Sequence, residues 1–158
     1  MYGTHVVIGL QQAGRLAEAA AARASDSARA WLIAGEAAQR RGDFEVALRF
    51  YDRIPRNSLA ADVAAGHASA ATVLLQQLHR ADEAEARYRL GLATDPDHIA
   101  TNKGLAVLLG ISGRRREAVP LILSQCRQGH FGVDQLNMLD VENGMRYETS
   151  LLEACRRQ

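Results

Sequence analysis

Lysine is nearly missing from this 158-residue chain, aromatics make up only 5%, and neither sign of charge prevails. Nineteen basic residues, of which only Lys103 is a lysine, face eighteen acidic ones, for a formal net charge of +1. Such a balance creates no field that would gather nucleic acid or an anionic membrane surface. No stretch approaches the roughly 20 apolar residues of a membrane span, so membrane insertion is not expected. The apolar run over residues 4–10 is too short for a secretory h-region. Location stays open between cytoplasm and periplasm. Cys126 and Cys155 are far apart and carry neither a CxxC pair nor a histidine at ligand spacing. They read as two small, semi-buried hydrophobes rather than a disulfide framework or zinc site.

Chemistry-bearing motifs are equally scarce. The five histidines, His5, His67, His79, His98 and His130, show no HExxH pattern, which argues against a metal. The spaced glycines of GLAVLLGISG, from Gly104, lie in a helical pattern, with neither GxGxxG nor a GxxxxGK phosphate loop. No nucleotide cofactor is therefore expected. DVENG, from Asp140, places its glycine too early for a calcium loop and reads as a turn. Arg114-Arg115-Arg116 reads as a solvated corner at a helix start. No Ser/His/Asp or Cys/His set can be assembled by spacing, so no catalytic residue is assigned and the chain does not read as an enzyme.

Against these absences stands an abundance of alanine, 28 residues, with only Pro55, Pro96 and Pro120 to interrupt helices. Alanine is the best helix former and lets helices approach closely, so an all-α fold is expected. A phrase recurs: a turn residue, a basic or polar residue, and then an acidic residue one or two places before an alanine. It appears as Gly14-Arg15-Leu16-Ala17-Glu18-Ala19 and as Gly42-Asp43-Phe44-Glu45-Val46-Ala47. It returns as His79-Arg80-Ala81-Asp82-Glu83-Ala84 and as Gly113-Arg114-Arg115-Arg116-Glu117-Ala118. The closing alanines lie 28, 37 and 34 residues apart, a period that marks a helical repeat.

Around those anchors a second layer of pattern falls into place. One unit reads Trp31-x-x-Ala34-Gly35-x-x-Ala38 and then Ala47-x-x-x-Tyr51. The next reads Ala68-x-x-Ala71-Thr72-x-x-Leu75, then Ala84-x-x-x-Tyr88, closing at Pro96. A further unit reads Asn102-x-x-Leu105-Ala106-x-x-Leu109, then Ala118-x-x-x-Ile122. Gly35, Thr72 and Ala106 are expected where paired helices touch, with Trp31, Tyr51 and Tyr88 filling the gaps between successive pairs. Gly14, Gly42 and Gly113 suit left-handed C-caps, and Ser58 suits the N-cap of a long helix from Leu59 to about Leu78. Gly66 falls inside that helix, at a cost of about 1 kcal/mol relative to alanine.

Over residues 2–125 this pattern resembles the tetratricopeptide-repeat family, most closely in DEAEARYRLGLATDPDH from Asp82. The resemblance implies a right-handed α-α superhelix of about four antiparallel helix pairs, over residues 2–25, 28–55, 59–95 and 98–128. Residues 129–158 would supply C-terminal capping helices or begin a further repeat. It also implies a non-catalytic module that binds a protein or peptide in a concave groove lined by the first helix of each pair. From the first unit Thr4, His5, Ile8, Gln11 and Gln12 are expected there. The second offers Arg29, Leu32, Ile33, Glu36, Gln39 and Arg40. Ser69, Val73, Gln76 and Gln77 continue the row, and Lys103, Val107 and Ile111 end it. Bacterial proteins of this style serve as scaffolds in pilus or secretion assembly. The alternatives are an arm excised from a larger multidomain enzyme and self-association through open ends of the stack.

Overall fold

The computed structural model describes residues 3–24 and 26–127, with side chains described between Gln12 and Cys126. Within those bounds the chain is all-helical and has no strand. Its seven helices are α1 (Gly3–Arg23), α2 (Ala28–Arg40), α3 (Phe44–Tyr51), α4 (Ala60–Gln76), α5 (Ala81–Thr94), α6 (Ile99–Ile111) and α7 (Arg115–Arg127). Consecutive helices pack on each other, and α4 also lies against α2 and α6. The contacts run antiparallel: Thr72 of α4 bonds Tyr88 of α5, while Gly91 further along α5 lies against His67, earlier in α4.

Turn chemistry accounts for where these helices stop. Gly42, after α2, has φ +83° and Gly113, after α6, has φ +74°; both are left-handed, which an amino acid with a Cβ rarely adopts. At the matching place after α4 stands His79, with φ +55°, among the described residues the one non-glycine at positive φ. The recurring phrase thus marks a backbone conformation, and histidine there carries the strain that glycine avoids. At the end of α5 the Asp97 amide donates to Asp95 Oδ1 (3.1 Å), tightening the turn around Pro96. Ser27 caps α2 by accepting from the Ala30 amide at 3.3 Å.

Three expectations need correction. Gly14 ends no helix: residues 3–23 run as one helix, α1, where the pattern pointed to a pair. Gly14 is buried in that helix, and a Cβ there would fall on the Arg41 guanidinium, so its smallness serves a close contact rather than a turn. Ser58 is not the N-cap of α4; Leu59 takes that position with no side-chain hydrogen bond, and the helix ends at Gln76. Cys126 is disulfide-bonded, not a free hydrophobe. Cys155 and the rest of residues 129–158, assigned to caps or a further repeat, lie outside the described residues, as does residue 128.

The core is built from alanine against aromatics. Trp31 is 4% exposed, stacks on Phe50 with ring centroids 5.9 Å apart, and carries the Arg53 guanidinium 5.2 Å from its own ring. A Cβ on Gly35 would run into the Tyr51 ring, and one on Gly104 into the Tyr88 ring. Tyr51 reaches across to Ser69 of α4, and Tyr88 bonds Thr72 of α4 while lying on Gly104 of α6. Each tyrosine therefore ties one hairpin to the next. Gly66 has a comparable reason to be glycine, because the Ile54 side chain occupies the space a Cβ would take.

The second helices meet differently, through charge. Arg80 grips Glu83 with two hydrogen bonds of 2.6 Å and reaches Glu45 of α3 at 3.1 Å. Arg114 grips Glu117 with two bonds of 2.7 Å and reaches Glu85 of α5 at 2.8 and 2.9 Å. Arg87 pairs with Asp52 at 2.6 Å. In the two later copies of the recurring phrase these contacts explain why an arginine and a glutamate stand three residues apart.

Two substitutions check this account of the turns and contacts. His79→Gly should stabilise the chain by about 1 kcal/mol by relieving the left-handed strain. Gly35→Ala should destabilise it by about 1–3 kcal/mol by forcing the Tyr51 ring aside. Urea melts followed by circular dichroism read both; an unstable His79→Gly variant would mean the imidazole has a role beyond the turn.

Candidate functional site

Helices α2, α4 and α6 are the first members of the three described hairpins, and two clefts open along them. The larger, about 800 Å³, lies at the C-terminal ends of α2 and α4 and is lined by Glu36, Gln39, Arg40, Arg41, Gly42, Phe44 and Gln77. The smaller, about 260 Å³, runs across all three helices between Gln39, Ala65, Ala68, Ser69, Thr72, His98 and Ala100. Gln39 borders both, so the two adjoin.

The expected groove residues divide in the structure. Glu36, Gln39, Arg40, Ser69 and Gln77 line the clefts. Gln12, Arg29, Gln76 and Lys103 are exposed, and so are Ile33 (52%), Val107 (45%) and Ile111 (68%). Leu32 is partly buried against the core. Val73, expected as an apolar centre of the groove, is fully buried in the core instead. Counting round the helix misses this because α4 has neighbours on several sides, α2, α3, α5 and α6, which leaves it only a narrow free strip. Thr4, His5, Ile8 and Gln11 fall in α1, but their side chains lie outside the described residues.

Ala65, Ala68, Thr72, His98 and Ala100 were not anticipated. His98 follows the Pro96 turn directly and is the N-cap of α6: its Nδ1 accepts from the Thr101 amide at 3.3 Å and meets Thr101 Oγ1 at 2.7 Å. A polar residue just before an apolar helix was the signal that could have found it. Asn102, buried, anchors the same turn by donating to the carbonyls of Pro96 (2.8 Å) and His98 (3.1 Å).

Polar groups at the small cleft are held in fixed orientations. The Tyr51 phenol donates to Gln39 Oε1 at 3.1 Å, which turns the amide nitrogen of Gln39 away from that bond. Burial, reinforced by the negative charge of Glu36, pushes the Tyr51 phenol up to about 12, so it stays protonated and remains a donor. Burial also raises Tyr88, whose phenol pairs with Thr72 Oγ1 at 3.2 Å. The Thr72 hydroxyl meanwhile donates to the Ala68 carbonyl at 2.9 Å. Arg40 and Glu36 face each other at 3.6 Å beside the larger cleft, and Arg41 donates to Asp43 at 2.8 Å.

Among the described residues no group of three or more His, Cys, Asp or Glu is placed to hold a metal ion. No described helix is long and apolar enough to cross a membrane. Comparison with known proteins returns no matching family model, no curated relative and no matching solved structure.

Titration should follow from these surroundings. Burial, with Arg87 nearby, holds His67 below its ordinary value of 6.5. A base so depressed favours folding while neutral, so that contribution is lost as pH falls from 6.5 through the lower folded value. Hydrogen bonds from arginine hold Glu83, Glu85 and Glu117 below the ordinary carboxylate value. Their contribution is present above about pH 4.5 and is lost as pH falls through the depressed values. A melting temperature that declines in two stages on acidification is therefore expected. The first stage should vanish in His67→Gln, and the second should shrink in high salt.

Proposed function

We propose that this chain is a non-catalytic interaction module of the tetratricopeptide-repeat kind, a scaffold that holds a peptide or partner protein against its first helices. The observation that carries the reading is the division of labour between the two rows of helices. First helices α2, α4 and α6 lie side by side, drawn together by small residues and tyrosines. Second helices α3, α5 and α7 are linked along their own row by long charged side chains. A stack that is close on one side and spread on the other bends toward the close side, and that hollow is where repeat proteins take extended partners.

Further support comes from what the free surface offers. Ile33 on α2 and Val107 and Ile111 on α6 are apolar and exposed, and α2 also carries Gln39 and the Glu36–Arg40 pair. Such a mixture suits a partner with a few apolar anchors and a hydrogen-bonding backbone. A right-handed superhelical path, the feature that defines the repeat family, completes the proposal.

The test is capture of partners from the native cell by the full chain, compared with an Ile33→Glu/Val107→Glu double variant. Circular dichroism of the variant should be unchanged, because both side chains are about half exposed. Retention of the captured partners by the variant would place the binding surface elsewhere.

A further inference from the structure

Resting on that reading, we infer that the cleft between Gln39, Ser69 and His98 is a subsite for the main chain of an extended peptide with small side chains, held through its carbonyl oxygens. Hydrogen-bond bookkeeping at the rim points to acceptors on the guest. Gln39 Oε1 is occupied by the Tyr51 phenol, and no internal partner takes the Gln39 amide nitrogen. His98 Nδ1 is occupied at the cap of α6, and a neutral ring that accepts there carries its proton on Nε2, which likewise has no internal partner. Two fixed donors thus remain beside one opening, with their own acceptor atoms already used.

The floor decides what can bring the acceptors. Ala65, Ala68 and Ala100 extend no further than a methyl group, and the cleft measures about 260 Å³. That space admits a backbone with glycine, alanine or serine side chains at close range, while a leucine or aromatic would lift the carbonyls out of reach. The lining holds no carboxylate, guanidinium or ammonium group, so a charged guest side chain gains nothing inside this cleft. An extended strand also presents carbonyls at regular steps of about 3.3 Å, which lets one segment that crosses α4 meet a donor on α2 and another at the start of α6.

Two conservative substitutions separate recognition from folding. Gln39→Glu keeps an oxygen for the Tyr51 phenol and removes the donor. His98→Asn keeps a side-chain acceptor for the Thr101 amide, as an N-cap requires, and removes the imidazole N–H. The probes are two synthetic twelve-residue peptides added to the ¹⁵N-labelled full chain. One is made of alanine, serine and glycine; the other has leucine in place of every alanine. The inference expects the first peptide to shift the Gln39 side-chain amide and the Ser69 and His98 signals. Each variant should bind it about five- to tenfold more weakly, the loss of one hydrogen bond. The leucine peptide should leave those signals unmoved. Equal binding of both peptides at these residues would overturn the small-side-chain claim and leave the groove reading standing. No shift from either peptide at millimolar concentration would overturn the subsite. Shifts confined to the second helices would overturn both this subsite and the groove on which it rests.

Discussion

Close approach of paired helices is the constraint on which the rest of this molecule depends. Where Gly35 meets Tyr51 and Gly104 meets Tyr88, no atom can be added without moving a ring. The Tyr51 hydroxyl also reaches Ser69 of the next hairpin, and the Tyr88 hydroxyl bonds Thr72 of its own hairpin while its ring meets Gly104 of the next, so packing within a pair and between pairs is one event. The alanine excess follows from this geometry. A methyl group fills a helix crossing without propping it open, and a few large aromatics supply the apolar area that alanine does not. Polar satisfaction is arranged by the same contacts, since Gln39, Ser69 and Thr72 complete the tyrosine phenols at the border of the cleft.

Much of the architecture could be read before any coordinates. Helicity, the turns at Gly42 and Gly113 and the burial of Trp31 all follow from local chemistry, because each depends on one residue type with one dominant reason to be there. Even His79 falls at the turn place of the repeating phrase, although histidine adopts a left-handed turn far less readily than glycine. Gly14 was misread because glycine has two uses, turning a chain and permitting contact, and a single sequence does not tell them apart. The use was settled by Arg41, 27 residues away, lying where a Cβ would be.

The surface was less legible than the core for a related reason. Counting positions round a helix gives a face, but which part of that face stays open depends on how many neighbours the helix has. Val73 looked like a groove residue because its spacing matches Glu36 and Val107, yet α4 is the most enclosed of the three first helices. His98 was missed for the opposite reason: it precedes a helix, so no periodicity points to it, and its place in the cleft comes from the Pro96 turn folding back.

One consequence concerns the arginine–carboxylate links among the second helices. They join α3 to α5 and α5 to α7 through solvent, whereas the first helices are joined by buried rings. Dissolved ions can loosen the former and scarcely touch the latter. One margin of the molecule is thus fastened by screened charges and the other by buried rings, so ionic strength acts on the first and leaves the second undisturbed.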